Sequence, residues 1–69
     1  MAMIIKWTNK VSNESGYVKN VKKADGYFEN TYEAAEAKQF SRQCDVTRTM
    51  NTLAAIGETE NNVFEAVEA

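Results

Sequence analysis

Two clusters of turn-forming residues divide the first part of the chain, SNESG at residues 12–16 and KADG at residues 23–26. Short segments between such turns favour strands that pair as hairpins. Gly16 is expected to close the first hairpin with a positive φ, and the Asp-Gly pair of the second cluster signals a tight turn. The spacing therefore predicts a three-stranded antiparallel meander over residues 3–31.

The first of these segments alternates with a period of two, as a strand with one buried face requires. In the second segment, Lys19 shares its parity with Tyr17 and Val21, so neither face of that strand is wholly basic. The run VFEAV, at residues 63–67, fits either a fourth strand that extends the sheet or a short tail.

The segment NTYEAAEAKQF, residues 30–40, has the composition of a short helix. Its alanines favour helix strongly, and Asn30 and Thr31 are both good N-terminal caps. Two turns are too few to be stable alone, so this helix is expected to dock on the sheet through Tyr32, Ala35 and Phe40.

A longer helix is predicted in SRQCDVTRTMNTLAAIG, with Ser41 as its cap and Gly57 as the residue that ends it. The β-branched residues near its beginning weaken the first turns, so its start is placed between Arg42 and Val46. One apolar stripe runs along it at helical spacing. The stripe consists of Val46, Met50, Leu53 and Ala54.

The predicted fold class is α+β: a three-stranded antiparallel sheet, with the fourth strand as an extension, packed by one short and one longer helix. Residues 1–69 are expected to form a single small domain with a thin core, because a chain of this length buries only about 60% of its unfolded surface. A lone cysteine forms no internal disulfide, so packing must stabilise the fold. The predicted core is Met3, Ile5, Trp7, Val21, Phe28, Ala35, Phe40, Met50, Leu53 and Ile56.

The composition excludes several chemistries. The chain has no histidine and a single cysteine, so it cannot assemble a standard zinc site or a nucleophile–histidine pair. Its three glycines stand singly at turns and form no phosphate-binding loop. Cys44 is interpreted as a small packing residue, and the paired glutamates as solvated surface. We therefore expect no catalytic activity, no metal and no cofactor.

Hydropathy and the number of cysteines indicate where in the cell the protein is expected. No stretch approaches the roughly 20 apolar residues that a membrane span needs. The start, MAMIIKW, lacks the basic segment and the cleavage site of a signal peptide. Together with the single cysteine, these features predict a cytoplasmic protein that does not associate with membranes.

Charge is divided unequally along the chain. Residues 1–23 contain five lysines and one acid, whereas residues 24–69 contain three basic residues and nine acids, although the net charge is only −2. Such asymmetry often marks an interaction surface. An acidic face attracts a basic groove on a partner and speeds the encounter, while plain solubility is the simpler explanation for exposed glutamates. The candidate partner-binding residues are Glu29, Glu33, Glu36, Glu58 and Glu60.

The lysine-rich hairpin supports an alternative hypothesis. Lys19, Lys22 and Lys23 with Tyr17 resemble a basic, aromatic sheet face that stacks nucleic-acid bases. The sequence pI of about 5.0 argues against nucleic acid as a partner. A third hypothesis is a homo-oligomeric structural protein, for example a homodimer, that pairs through an exposed sheet edge or helix face.

Three stretches carry a resemblance: GYVKNV, GYFENTYEAAEAKQFS and the AAIG at the end of the longer helix. They resemble the small uncharacterised proteins encoded by phages and prophages of low-GC Gram-positive bacteria, over roughly residues 3–57. Some proteins of that kind are similar to anti-CRISPR inhibitors, which bind host nucleases without a cofactor. The resemblance implies a non-catalytic protein-binding module that inhibits a host nucleic-acid-handling defence complex, such as a CRISPR effector or another defence nuclease.

Overall fold

The computed structural model describes residues 2–69, and within them it has four strands and one α-helix. The class is therefore α+β, as predicted, and the C-terminal strand is confirmed. Short 3-10 turns cover 23–25, 34–36 and 58–60. The main elements are β1 (Met3–Asn9), β2 (Ser15–Lys22), β3 (Tyr27–Thr31), α1 (Gln43–Ala55) and β4 (Asn62–Glu68).

The four strands form one antiparallel sheet in the order β3-β2-β1-β4. β1 pairs with β4 along its whole length, from Met3 opposite Glu68 to Asn9 opposite Asn62. β1 pairs with β2 over a much shorter stretch, at Lys6, Trp7 and Thr8. β1 and β2 are thus the two inner strands, and β1 separates from β2 towards its own beginning.

Residues 38–40 lie between the two strands where they separate. The Lys38 N–H donates to the carbonyl of Val18 in β2 at 3.1 Å. Phe40 and Met3 exchange two backbone hydrogen bonds of 2.8 Å, which form an isolated antiparallel bridge to β1. These bonds satisfy strand groups that would otherwise be left without partners, which is costly when they are buried.

A bulge in β2 sets which of its side chains face the core. Pairing with β3 shifts by one residue between Val18 and Asn20. The side-chain oxygen of Asn20 accepts the Val21 N–H at 2.9 Å within this irregularity. Because of the extra residue, Val18 and Val21 both belong to the core although they are three positions apart. The bulge thereby places Tyr17 and Val21 on opposite faces despite their shared parity.

One hydrophobic cluster lies between the sheet and α1, which packs on β1 and β2. The stripe of α1 is confirmed for Val46, Met50 and Leu53, but Ala54 is exposed. Phe64 and Ala66 of β4 join the cluster as well. Every residue of the predicted core except Ala35 lies in the cluster or packs against it: Met3, Ile5, Trp7, Val21, Phe28, Phe40, Met50, Leu53 and Ile56.

The prediction of a short helix over residues 30–40 is wrong. Only 34–36 form a 3-10 turn, and both Tyr32 and Ala35 are exposed, while Ala37 is buried instead. Thr31 is not the N-terminal cap of this turn, which is Glu33; its hydroxyl instead accepts the Glu33 N–H at 3.1 Å. The backbone bonds that residues 38–40 make to both strands are incompatible with helix, and two turns of helix are too weak to compete.

The prediction for the C-terminal end of α1 is confirmed, whereas the prediction for its N-terminal cap is wrong. Gly57 follows the helix with φ 85°, as a C-terminal glycine should. The N-terminal cap position is Arg42 rather than Ser41, and it makes no capping hydrogen bond with its side chain. Instead, Arg42 Nε donates to Asp45 in the first turn at 3.1 Å. Over residues 2–69, no helix is long and apolar enough to cross a membrane.

Candidate functional site

An open cleft of about 310 Å³ lies at the end of the sheet where β1 and β3 finish and β4 begins. The β1–β2 loop and the 58–60 turn complete it. Its lining combines three aromatic rings, three amides and two carboxylates. The lining residues are Trp7, Phe28, Tyr32, Asn9, Asn30, Asn62, Glu14 and Glu58.

Trp7 forms the buried wall of this cleft, with 5% of its surface exposed. It lies over Gly16, directly opposite in β2, where a Cβ atom would stand only 2.8 Å from Cζ2 of the indole. Gly16 is therefore a strand residue that makes room for a ring, and the predicted turn with positive φ is wrong. In the β1–β2 loop the positive φ belongs to Asn13, at 63°.

Tyr32 forms the open wall. Its ring meets the Trp7 ring edge-on, with 6.0 Å between centroids and 61° between planes. It is nevertheless 64% exposed, so most of its surface remains open to a partner. Its hydroxyl lies 3.5 Å from a carboxylate oxygen of Glu14 in the β1–β2 loop. These two residues, 18 positions apart in sequence, form one rim of the cleft.

Asn62 fixes the opposite rim. Its amide nitrogen donates to the Glu58 carbonyl at 3.2 Å, and its amide oxygen accepts from the Asn9 amide at 3.3 Å. These bonds tie the 58–60 turn to the ends of β1 and β4. Glu58 is consequently held at the cleft, half-buried, on a short and well-braced turn.

The charged side chains that line the cleft are acidic. Within the part of the chain that the structure describes, its lining carries Glu14 and Glu58 and no lysine or arginine. The basic side chain of Lys10 lies beside the 58–60 turn, where its Nζ donates to the Thr59 carbonyl at 3.1 Å. Aromatic faces also attract cations. The cleft therefore combines two features that favour a positively charged group.

The five predicted partner-binding glutamates do not form one face. Glu58 lines the cleft, and Glu60 is exposed in the same turn. Glu33 is exposed and adjoins Tyr32 in the chain. Glu36 accepts the Thr31 hydroxyl at 3.2 Å, and Glu29 pairs with a lysine on β2. The structure thus brings Glu58 alone of the five into the cleft.

Sequence reasoning missed Glu14, Trp7 and Tyr32 as a combined site. In the sequence, Glu14 is the lone acid of the basic half, and Trp7 belongs to the predicted core. These residues lie close together because the sheet register places the β1–β2 loop beside the end of β3. Two turn clusters with an aromatic residue after the third strand were the signal available, and they are too general to identify a cleft.

Tyr17 of the lysine-rich hairpin lies on the sheet face that α1 does not cover, whereas Lys23 lines a cleft along α1. Tyr17 is opposite Lys6 and Thr31 there, and Lys19 is exposed at the bulge. Lys22 lies 3.6 Å from Glu29 on the neighbouring strand, so an adjacent acid offsets part of its charge.

Lys23 begins the 3-10 turn after β2, away from the strand positions. Tyr17, Lys19 and Lys22 therefore lie on one strand, and Lys23 stands at its end.

Two further clefts run along α1, and both are lined by basic side chains. One is lined by Lys38, Asp45 and Arg48 among others, and the second by Lys23 and Arg48 beside the exposed thiol of Cys44. The exposure of Cys44 contradicts its interpretation as a packing residue. Over residues 2–69, no three side chains of the metal-binding types converge.

Comparisons of the chain with protein-family models, curated proteins and solved structures found no match.

Proposed function

We propose that this protein is a non-catalytic binding module that uses the acidic, aromatic cleft to engage a basic surface of another protein. The observation that carries the proposal is the lining of the cleft: Trp7 and Tyr32 beside Glu14 and Glu58, with no cation among the described residues that line it. Aromatic residues that are partly open at the centre of a polar rim are typical of interface hot spots.

The dimensions of the cleft support a macromolecular partner over a small cofactor. Cofactor and substrate pockets are concave, mostly apolar and roughly 300–1,000 Å³. This cleft, at about 310 Å³, is at the lower limit of that range and is open along one side. It accommodates a side chain that projects from a larger surface, with Glu33 and Glu60 exposed nearby to meet the surrounding charges.

The resemblance to small phage and prophage proteins supports a choice of partner. Proteins that handle nucleic acids present grooves rich in arginine and lysine. An acidic cleft that occupies such a groove would exclude the nucleic acid and inhibit the host complex. We therefore propose a nucleic-acid-handling defence protein as the partner, with Glu14 added to Glu58 and Glu60 as contact residues.

A pull-down tests the proposal. The tagged protein is incubated with a Gram-positive bacterial lysate, with and without nuclease, and the captured proteins are identified by mass spectrometry. We expect a stoichiometric partner that survives nuclease and is lost when Glu14 and Glu58 are both changed to lysine. The matched control changes Glu65 and Glu68 to lysine, which alters the net charge equally on β4, outside the cleft lining. Equal loss in both variants would contradict a role for the cleft.

A second candidate function is weak nucleic-acid binding through the sheet face opposite α1. The observation that favours it is that Tyr17 and Lys19 both lie on that face, next to Lys22. Stacking on an aromatic residue with nearby lysines is a common mode of single-strand binding. This candidate predicts affinity for single-stranded oligonucleotides that falls steeply with added salt and disappears when Lys19 and Lys22 become glutamine. Binding that is independent of salt would contradict it.

A further inference from the structure

We infer that the cleft recognises a single arginine side chain of the partner. Its guanidinium group would stack on the exposed ring of Tyr32 and pair with the carboxylates of Glu14 and Glu58. This inference rests on the proposed function and specifies its chemistry. It assigns the ligand class from the type and placement of the lining groups.

The aromatic walls favour a planar cation. Tyr32 is 64% exposed, so its ring is open to a ligand. The centroid of the Trp7 ring lies 6.0 Å from that of Tyr32, and the two ring planes are inclined by 61°. A guanidinium stacks flat on an exposed ring and is weakly hydrated, so it loses less on entering such a cleft than an ammonium does. The geometry therefore favours arginine over lysine.

The carboxylates supply the polar half of the recognition. Glu14 stands at one rim beside the Tyr32 hydroxyl, and Glu58 stands at the other on the turn that Asn62 braces. A guanidinium has five N–H donors in a rigid fork, which can reach acceptors on two sides of a cleft at once. Asn30 adds a further amide oxygen within the lining. An ammonium presents its three donors from a single nitrogen and lacks this planar fork.

Glu58 gives the cleft its selectivity for charge. It is half-buried, whereas Glu14 is exposed. Charge pairs are screened less when they are partly removed from water. The pairing with Glu58 is therefore expected to contribute more to affinity than the pairing with Glu14. A neutral isostere of arginine would stack on Tyr32 but lose this pairing.

The experiment uses three capped tripeptides, Ac-Gly-Xaa-Gly-NH₂ with arginine, lysine or citrulline at the centre, titrated into ¹⁵N-labelled protein. The indole Nε1–H of Trp7 is the reporter, because Trp7 is the single tryptophan of the sequence and lines the cleft. We expect the arginine peptide to bind with a Kd on the order of millimolar, as a few weak contacts predict. Shifts should concentrate at Trp7, Asn30, Tyr32 and Glu58.

Two variants separate the contributions. Tyr32→Ala and Glu58→Gln should each weaken arginine binding by roughly fivefold to tenfold. Tyr32→Phe, which keeps the ring, should retain most of the affinity. Tyr32 is exposed, so its replacement leaves the fold intact, and the amide spectrum of each variant checks this directly. Glu65→Gln, on β4 and outside the lining, is the control for the loss of one charge.

The inference is overturned if citrulline or lysine binds as tightly as arginine, or if the shifts fall outside the cleft. Absence of binding at tens of millimolar peptide also overturns it. The proposed function fails separately, when capture of a protein from lysate does not depend on Glu14 and Glu58. Retained capture with no arginine preference would therefore reject the ligand assignment and leave the binding module standing.

Discussion

Replacement of Gly16 by alanine tests the packing that places Trp7 at the cleft. An ideal Cβ at Gly16 would lie 2.8 Å from Trp7 Cζ2, 2.9 Å from Trp7 Cε2 and 2.8 Å from the Thr31 carbonyl oxygen. All three distances are far inside ordinary van der Waals contact, which for carbon atoms is about 3.5–4.0 Å. The added methyl group must therefore displace the indole, the β3 backbone, or both.

The magnitude follows from two opposing contributions. Overpacking by one methyl group in a filled core costs roughly 1–3 kcal/mol. Alanine in place of glycine in a strand recovers about 0.5–1 kcal/mol, because the unfolded chain loses less entropy on folding. We expect Gly16→Ala to lower the free energy of unfolding by about 1–2 kcal/mol. In a chain of 69 residues this is a large share of the total.

A double-mutant cycle with Trp7→Phe assigns the cause. Phenylalanine lacks the second ring, so two of the three close contacts are relieved, whereas the Thr31 oxygen is backbone and stays. The single change Trp7→Phe should itself cost little, since the lost packing is partly offset by removal of a buried indole N–H that has no acceptor in residues 2–69. We expect Gly16→Ala to be milder in this background, with a coupling energy of about 1 kcal/mol.

Urea unfolding followed by far-ultraviolet circular dichroism measures all four proteins, since the signal does not depend on the tryptophan. Gly26→Ala is the matched control. Gly26 has φ 73°, and no atom of residues 2–69 lies within 4 Å of its Cβ position, so its cost of about 1–2 kcal/mol is backbone strain alone. That cost should add to Trp7→Phe without coupling. A fully additive Gly16→Ala, or one that stabilises the protein, would refute the proposed contact.

Three further predictions concern the remaining elements. Leu53→Ala should lower the free energy of unfolding by roughly 2–5 kcal/mol in urea titrations, because the side chain is fully buried between α1 and the sheet; a loss under 1 kcal/mol would place it outside the core. Gly57→Ala should cost about 1–2 kcal/mol in thermal unfolding, since φ is 85° there, and an unchanged Tm would show that the helix end had shifted. The Lys22–Glu29 pair should contribute less than about 0.5 kcal/mol in a double-mutant cycle, because both side chains are about 40% exposed; a value above 1 kcal/mol would contradict that estimate.

The local features of the fold were predictable from the sequence. Alternation and turn residues identified the first three strands, since side chains repeat every two residues in a strand. The stripe of Val46, Met50 and Leu53, followed by Gly57, identified α1. In each case the signal lies within about a dozen residues and depends on propensity or periodicity alone.

The features that depend on distant pairing were not predictable. The bulge at Val18–Asn20 changes which side chains face the core, and no residue type specifies it. The helix expected over residues 30–40 does not form, because Lys38 and Phe40 make backbone hydrogen bonds to β2 and β1 instead. The cleft combines residues from five separate stretches, and their meeting follows from the register of β1 with β4 and of β2 with β3. Glu14 and Tyr32 become neighbours through that register alone.

The position of residues 38–40 has a consequence for how the chain folds. By sequence they belong to a connection, yet Lys38 bonds to β2 and Phe40 bonds to β1. Within the first hairpin, β1 and β2 pair directly only at residues 6–8 of β1, and we expect the rest of the centre of the sheet to close after residues 38–40 have arrived. The bonds to Val18 and Met3 each close a long loop, which is costly before the contacts form. Inserted residues here would open the middle of the sheet, whereas most connections tolerate them.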